Sequence, residues 1–441
     1  MTLPYMAELA KQKGIDVLSV CDFTHTLWFK EIQEQIEEAE EGLYRLKKGI
    51  FPFRDSRFLF STEISSIYKQ NDKLRRIHNL IFAPNMQVAE NITAELLKRG
   101  ANLSADGRPI IGLWSKHLLE LILGIDARCM LIPCHVWTPH FGVYGSASGY
   151  NSLQDAFEEL TPYIYGIETG LSSDPEMNWQ IPELKYRTIL SFSDAHSAPK
   201  MGREATVMDL ESLSYASIRQ AIMRLSVIAS KAKQSHEIAT SSSTLRNDVS
   251  TIAYTVEFYP EEGKYHFSGH RNCKVSLGPD EIRVGSTICS VCRKRMTEGV
   301  LYRVQELADP TLVHRVAEKI GTDGIKWYTD TAKIQPPYVK LVPLNEIIAE
   351  AMKSTVASQK VKNQFIKLCQ ELESEMQILL KAKIEDIAAV AGEPIAVGIQ
   401  KVRAGEISIN PGYDGEYGKV KIWRDGEERP NPASPQLSLG W

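Results

Sequence analysis

The chain has 441 residues, a length that allows two or more domains and a core of normal size. Hydrophobic residues make up 43% of it and charged residues 24%, which is typical of an ordinary globular protein. The formal net charge of -4 excludes a globally basic chain, so any binding of nucleic acid would need a local basic patch.

The sequence has no run of about 18 apolar residues that could span a membrane. Its N-terminus, MTLPYMAELAKQKG, lacks the basic and then apolar pattern of a secretion signal. Seven cysteines are an odd number, which disfavours a disulfide scaffold. Four of them lie in settings typical of buried thiols: Cys21, Cys129, Cys134 and Cys369. We therefore expect a cytoplasmic protein without a membrane partner.

Residues 1–227 alternate short apolar runs with stretches of helical periodicity. The apolar runs, which predict β-strands, span 15–20, 58–61, 77–83, 130–134, 164–167 and 188–192. Helical periodicity between them is clearest at 29–48 and 89–99. This alternation predicts an α/β fold with a parallel sheet or barrel.

Three further regions follow this one. Residues 228–250 are Ser/Thr-rich and lack aromatic residues, which predicts a flexible insert that is either a translated genomic repeat or an ordinary variable linker. Residues 251–305 are rich in Gly, Cys and His, as small zinc-finger domains are. Residues 306–441 are predicted to be mostly helical, with a terminal β-hairpin around PGYDGEYG and a frayed tail. One helical face should pack on a core through Phe365, Leu368, Leu372, Met376 and Leu379.

Carboxylate and imidazole side chains lie within or just after the apolar runs of the first half. They are Asp22, His25, Glu63, His78, His135, Glu168, Asp194 and His196. In a barrel of parallel strands the C-terminal strand ends meet on one face, so these groups would point into a single cleft. Such a set suits divalent Zn, Mn or Fe, which activate water near neutral pH and stabilise charge on a phosphoryl oxygen.

Each of these residues also has a purely structural interpretation. A histidine after a strand is often a satisfied structural residue, and Asp22 could cap a helix. Glu63 could instead form an ion pair with an arginine such as Arg75. Asp194 and His196 are the most specific pair, because alternate residues of an extended segment share one face. The prediction of a metal site depends on the recurrence of the pattern and not on any one residue.

Nine segments carry a family resemblance: DFTH (22–25), TEISSIY (62–68), RRIHNLIFAP (75–84), SADGRPI (104–110), PCHVWTPHFGVYGSASGY (133–150), ETGLSSDPEMNW (168–179), SDAHSAPKMGREA (193–205), EFYPEEGKYHFSGHRNC (257–273) and PGYDGEYG (411–418). In them the sequence resembles the PHP (polymerase and histidinol phosphatase) phosphoesterases, specifically the endonuclease Q branch. The resemblance covers nearly the whole chain apart from residues 228–250.

This resemblance implies a distorted (β/α)7 PHP barrel at 1–227 with up to three divalent ions, here Zn, Mn or Mg. It also implies incision of DNA beside deaminated bases such as uracil and hypoxanthine. Carried over by position, the metal ligands would be Asp22, His25, Glu63, His78, His135, Asp194 and His196. Glu63, His135, Asp194 and His196 would be catalytic. Trp137, His140 and the GLSSDP loop (170–175) would lie beside the site and contact the substrate.

The family begins with a strand that carries a His-x-His pair, whereas this sequence begins at its first predicted helix, with Thr2 as a candidate cap. We therefore expect the chain to lack the first barrel strand and two metal ligands. That would weaken at least one metal position and leave a neighbouring strand with an unpaired edge.

Two short-spaced pairs, His270–Cys273 and Cys289–Cys292, predict a structural zinc site. His266 is an alternative fourth ligand. A closed set of four ligands would leave no position for water, so the ion would serve folding and not catalysis. The alternatives are unligated cysteines or a redox Cys-x-x-Cys, although no thioredoxin-like context surrounds the motif.

Basic residues crowd around these pairs and are candidate phosphate contacts: Arg271, Lys274, Arg293, Lys294 and Arg295. A solvated charged face is the alternative interpretation. Nearby aromatic residues could stack on an extruded base or form the core of the small domain: Phe258, Tyr259, Tyr265 and Phe267.

Together these features favour a metal-dependent DNA repair endonuclease, with a sliding clamp as a further candidate partner. One alternative is a small-molecule phosphoesterase on the same barrel. Another is a truncated, non-catalytic DNA-binding remnant, which the missing first strand suggests. No G-x-x-x-x-G-K-[ST] loop occurs, so the sequence lacks the usual ATP cradle of a helicase.

Overall fold

The structure is a computed structural model that describes residues 2–49, 56–104, 108–234, 250–282, 287–313, 315–424 and 426–429. Its first part contains α1 (Leu3–Lys13), β1 (Val17–Ser19), α2 (Thr26–Gln35), β2 (Ile36–Glu40), β3 (Leu43–Leu46), β4 (Arg57–Gln70), β5 (Lys73–Ala83), α3 (Met86–Lys98), β6 (Ile110–Ile111), α4 (Ser115–Ile125), β7 (Met130–Pro133), α5 (Leu153–Phe157), β8 (Gly166–Glu168), α6 (Pro175–Trp179), β9 (Thr188–Leu190), β10 (Ala205–Asp209) and α7 (Tyr215–Gln234).

A long hairpin of β4 and β5 is the centre of the first sheet. The two strands pair antiparallel from Phe60 opposite Ala83 to Gln70 opposite Lys73. They are joined by Asn71 and Asp72, which both have positive φ (49° and 58°), as a tight hairpin turn requires. The strand order is β2-β3-β4-β5-β7, with β1 and β6 paired in parallel to β4.

All six predicted strands are present, but the predicted parallel sheet is wrong for β4, β5 and β7, which pair antiparallel. Since a tight turn joins β4 to β5, no crossover helix intervenes to make them parallel. Among the described residues the first-half strands up to β9 form a seven-stranded sheet and a separate parallel pair, β8 and β9. These ladders do not close a barrel, so the chain is a mixed α/β protein.

The helix predicted at 29–48 is also only partly correct. Helix α2 ends at Gln35, and the rest of the segment forms the β2–β3 hairpin. The chain reverses at Gly42, whose φ of 68° favours glycine. The predicted helix at 89–99 is confirmed as α3. Thr2 lies at the N-cap of α1, but its side chain makes no capping hydrogen bond.

The second part contains β11 (Thr251–Glu257), β12 (Ser268–His270), β13 (Val275–Leu277), α8 (Val300–Leu307), β14 (Val316–Ile320), β15 (Lys326–Asp330), β16 (Tyr338–Lys340), α9 (Leu344–Ala351), α10 (Gln359–Glu371), α11 (Glu375–Leu380), α12 (Ile384–Ala391), α13 (Glu393–Ala404), β17 (Ser408–Asn410) and β18 (Lys419–Lys421). A second sheet has the order β10-β11-β16-β15-β14. Its strands come from three of the predicted domains, so the first part of the 306–441 region is β and not helical.

The C-terminal helices α9 to α13 surround a second core, as their periodicity predicts. Phe365, Leu368 and Leu379 are buried in it, and Leu372 and Met376 pack against its edge. The predicted terminal hairpin is confirmed as β17 and β18.

Of the predicted insert, residues 228–234 continue α7, and residues 235–249 lie outside the described residues, as does the tail from residue 430. In the described part of the chain, no helix is both long and apolar enough to cross a membrane. Cys129, Cys134 and Cys369 are buried free thiols as predicted, whereas Cys21 is exposed.

Candidate metal and nucleic-acid site

Three of the predicted metal ligands meet at one point on the first sheet. Glu63 lies on β4, and His78 lies on β5 opposite Ser65, which places both side chains on one face. His135 follows the end of β7 and reaches the same face. The Glu63 Oε1 atom lies 3.0 Å from His78 Nδ1 and 3.3 Å from His135 Nε2. The two histidine nitrogens lie 3.1 Å apart.

These three donor atoms fit a divalent ion. Bonds of about 2.0–2.2 Å from one ion to nitrogen and oxygen ligands place neighbouring donor atoms roughly 3 Å apart, as observed here. One carboxylate with two imidazoles is also a donor set that Zn, Mn or Fe accepts. Glu63, His78 and His135 are therefore termed the metal triad below.

The protonation of the triad follows from its surroundings. Burial opposes ionisation of Glu63, but hydrogen bonds from His135 and His78 and the charge of Arg108 outweigh it and hold the pKa of Glu63 well below its usual range. Burial lowers the pKa of His78 to about 4. Burial also lowers the pKa of His135, but the hydrogen bond to Glu63 and the charge of Glu63 outweigh burial and raise this pKa to about 9. His135 would have to lose its proton to hold an ion, because only neutral imidazole is a ligand.

Asp22 and Asp194 lie beside the triad without joining it. Desolvation by the surrounding cleft and then the charges of Asp22, Glu63 and Asp194 raise the pKa of the Cys21 thiol to about 11, although Cys21 remains accessible to solvent. All three carboxylates therefore lie close enough to Cys21 to act on it electrostatically, and the surroundings of these residues and the metal triad are termed the cleft below.

The two remaining predicted ligands, His25 and His196, make contacts within their own segments. His25 is the N-cap of α2, where its Nδ1 accepts a hydrogen bond from the Trp28 backbone N–H at 3.3 Å. The His196 side chain is 71% exposed, and its Nδ1 lies 3.7 Å from Asp194 Oδ1. The structure thus brings three of the seven predicted ligands into one group of donor atoms, and His25 and His196 are not part of that group.

Several residues of the cleft have left-handed backbone conformations that non-glycine residues rarely adopt. The φ angles are 53° at Cys21, 43° at Asp22, 29° at His135 and 41° at Asp194. Such strain is characteristic of functional sites, where the surrounding fold holds a side chain in place. These four residues follow the ends of β1, β7 and β9.

A second group of residues holds His135 in position. The Glu168 carboxylate accepts the His135 backbone N–H at 2.8 Å. Gly170 packs so closely that a Cβ atom there would lie 2.3 Å from the His135 Cβ. Sequence reasoning placed Glu168 among the carboxylates and imidazoles at strand ends but did not assign it as a metal ligand. Gly170 lies in the GLSSDP loop and could have been recognised only from its resemblance to the family.

Two arginines at the site were also missed. Arg203 donates hydrogen bonds to the backbone oxygens of Ser193 at 2.8 Å and Asp194 at 3.1 Å, and so holds the loop that carries Asp194. Arg108 donates to Glu63 Oε1 at 3.0 Å and occupies the role that Arg75 was suggested to have. Both arginines lie in segments that carry the family resemblance, but no sequence spacing predicts that they contact the site.

Trp137 and His140 were both expected to contact the substrate, and the structure places them in different surroundings. Trp137 is buried, stacks on Tyr144 and donates to Asn178 Oδ1 at 2.8 Å, so its burial argues against contact with DNA. His140 is half-buried, and its ring meets the edge of Tyr265 at a centroid distance of 5.9 Å. His140 therefore lies where the first part of the chain meets the region that contains the cysteine pairs.

The predicted zinc ligands come together. Donor atoms of His270, Cys273, Cys289 and Cys292 all lie within 4.8 Å of one another. The backbone N–H groups of Cys292 and Val291 donate to the Cys289 sulfur and lower the pKa of that thiol to about 6. This geometry favours a bound metal over unligated cysteines. His266 is buried outside this group, so His270 is the better fourth ligand.

Around this zinc knot, defined by His270, Cys273, Cys289 and Cys292, the basic residues face solvent. Arg271, Lys274, Arg293 and Lys294 are exposed, whereas Arg295 forms an ion pair with Glu298 at 2.7 Å. Phe258 and Tyr259 are buried, which favours their interpretation as core and not as stacking platforms.

The fold and the site define a mixed α/β protein with a candidate divalent-metal cluster and a candidate zinc knot. Over 96% of its length the chain is similar to the crystal structure of PfuEndoQ, a lesion-specific endonuclease from Pyrococcus furiosus, with a TM-score of 0.73, 26% identity and 90% of that chain covered. It is equally similar to endonuclease Q in complex with a 27-mer duplex with an abasic lesion at the active site, with a TM-score of 0.75, 26% identity and 92% coverage. The resemblance to endonuclease Q is thus confirmed.

The chain is also similar in sequence to two other proteins. The chain is 27% identical over 423 residues to the uncharacterized protein YqxK of Bacillus subtilis, covering 94% of this chain and 91% of YqxK. It is 26% identical over 293 residues to the uncharacterized protein MJ0043 of Methanocaldococcus jannaschii, covering 65% of this chain and 31% of MJ0043. Residues 343–406 match the family described as the MJ0043 C-terminal domain.

Proposed function

We propose that this protein is a metal-dependent DNA endonuclease of the endonuclease Q type, which hydrolyses a phosphodiester bond beside deaminated bases such as uracil and hypoxanthine. The observation that carries the proposal is the likeness over 96% of the chain to endonuclease Q bound to a lesion-containing duplex. The metal triad supports it, because hydrolysis of a phosphodiester is chemistry that divalent ions promote.

The residues of the metal triad and those around it would have different roles in hydrolysis. A divalent ion held by Glu63, His78 and His135 would supply Lewis acidity and activate water. Glu63 remains ionised and gives the cluster its negative charge, while Glu168 and Gly170 hold His135 in place.

Asp194, on the loop that Arg203 fixes, adds a second carboxylate at the same cleft. The exposed basic residues beside the zinc knot would bind phosphates of the duplex away from the cleaved bond.

The proposal predicts that Asp194→Ala reduces the cleavage rate by about 100-fold or more, with little change in thermal stability. Cleavage is measured on duplexes that carry uracil or hypoxanthine, with Mn²⁺ or Mg²⁺. Asp209→Ala is the matched control, because Asp209 is an exposed carboxylate at the end of β10.

Normal cleavage by Asp194→Ala would remove Asp194 from the mechanism. Hydrolysis of free phosphomonoesters in place of DNA would instead indicate a small-molecule phosphoesterase. Salt-sensitive DNA binding without cleavage under any divalent ion would indicate a non-catalytic DNA-binding protein.

A further inference from the structure

Arg108 reaches the centre of the metal triad from a separate segment. Its Nη1 donates to Glu63 Oε1 at 3.0 Å and also contacts His78 Nδ1. Its backbone is held independently, because the neighbouring Pro109 carbonyl accepts the Ser65 N–H at 2.9 Å and β6 pairs with β4. The side chain is 26% exposed, so it lies at the solvent side of the cleft.

At this position, Arg108 occupies donor atoms that the triad would need in order to bind a metal ion. Glu63 Oε1 and His78 Nδ1 are two of the three donors that would hold an ion. A guanidinium group is permanently positive and has only donors, so it cannot act as a ligand. Arg108 and a divalent ion therefore compete for the same two atoms, and like charge opposes their close approach.

If a metal ion displaced it, the Arg108 guanidinium group could bind a phosphate of the proposed DNA substrate. Its planar fork matches the oxygens of a phosphate in a bidentate arrangement. Arginines that bind phosphate oxygens in this way stabilise the charge that develops during phosphoryl transfer. The anchored backbone of Arg108 keeps the side chain within reach of a phosphate held at the triad.

We propose that Arg108 has two alternating roles: it caps the triad in the absence of metal, and it binds a non-bridging oxygen of the scissile phosphate once metal and DNA are bound. The second role rests on the proposed function. The first does not, because it concerns only the competition between Arg108 and the ion.

The two roles predict opposite effects of Arg108→Gln. Mn²⁺ should bind the free protein about tenfold more tightly, because a competing positive charge is removed. Cleavage at saturating Mn²⁺ should fall by about 100- to 1,000-fold, as when one donor to a reacting oxyanion is lost. Mn²⁺ affinity is measured by electron paramagnetic resonance titration without DNA, and cleavage on a uracil-containing duplex.

Two further variants make the test specific. Arg128→Gln removes an arginine that pairs with Asp126 at 2.7 Å elsewhere, and it should leave both measurements unchanged. Arg108→Lys keeps the charge but loses the fork, so it should bind Mn²⁺ as the native protein does and still cleave slowly.

Equal or weaker Mn²⁺ binding by Arg108→Gln would overturn the capping role. Undiminished cleavage by that variant at saturating Mn²⁺ would overturn the phosphate role. If the native protein cleaves no lesion-containing duplex, the proposed function and the phosphate role are both lost, and the Mn²⁺ titration still decides the capping role.

Discussion

Close packing around His135 shows how single residues position the metal triad. Gly170 has a φ of 71°, and its Cα lies where a side chain would meet His135. The backbone of His135 is itself left-handed, with a φ of 29°. Because the backbone of Gly170 packs directly against the Cα and Cβ of His135, it helps to hold the imidazole on the face shared with Glu63 and His78.

We predict that Gly170→Ala destabilises the protein by about 2–5 kcal/mol, because alanine is strained in the left-handed region and its Cβ would also overlap His135. It should also reduce cleavage about 100-fold, because a shift of the order of 1 Å in His135 separates the triad donors. Thermal unfolding and cleavage of a uracil-containing duplex measure the two effects.

Gly100→Ala is the control for this prediction. Gly100 has a similar φ of 79° but open space where a Cβ would lie. Gly100→Ala should lose only the roughly 1–2 kcal/mol of left-handed backbone strain, without a clash, and keep full activity. If both variants lose activity equally, the effect on the site is due to general destabilisation and not to His135.

At the scale of elements, the zinc knot joins two segments that have little regular structure. The β12–β13 hairpin has only three residue pairs, and Cys289 and Cys292 lie in turns outside any strand. Short elements of this kind bury little apolar surface, so a bound metal is expected to supply much of their stability.

We predict that Cys289→Ala loses one equivalent of tightly bound zinc and makes the region around 264–300 sensitive to proteases. Structural zinc contributes roughly 10–16 kcal/mol in small zinc domains, so its loss should unfold this region. Zinc content by mass spectrometry and limited proteolysis measure the two effects.

Cys369→Ala removes a buried thiol of α10 far from the knot along the chain and should retain the zinc. Unchanged zinc content in Cys289→Ala would contradict the assignment of this ligand.

At the scale of the whole molecule, a net charge of -4 means that DNA binding must depend on local patches. The exposed basic residues of the zinc knot are one such patch, and Arg293 and Lys294 are adjacent within it. Each phosphate contact contributes about 0.9 to the slope of log affinity against log salt concentration.

We predict that the double variant Arg293→Gln/Lys294→Gln weakens binding to any duplex and reduces the salt slope by about 1.8. Fluorescence anisotropy at several salt concentrations measures this slope. Lys360→Gln/Lys362→Gln makes the same charge change at exposed positions of α10 and should leave the slope unaltered. Equal slopes for the two double variants would show that the zinc-knot patch does not contact phosphates.

Much of the organisation could be predicted from local patterns. Apolar runs located the first-half strands, and helical spacing identified the core face of α10 and α11, because burial of a periodic face is a local property. The hairpin of β2 and β3 was missed because its charged sequence also fits a helix. The burial of Trp137 could not be predicted, because a motif shows which residues are near a site but not which of them are buried.

The sequence by itself determined which carboxylates and imidazoles follow the apolar runs and where the two short-spaced pairs of the zinc knot lie, since each of these can be recognised within a short stretch of chain. Only the tertiary structure decided which ligands meet. The antiparallel register of β4 and β5 places Glu63 and His78 on one face, and the end of β7 brings His135 to them. The structure also placed Arg108 at the triad. Such contacts depend on strand pairing between distant segments, which local periodicity does not encode.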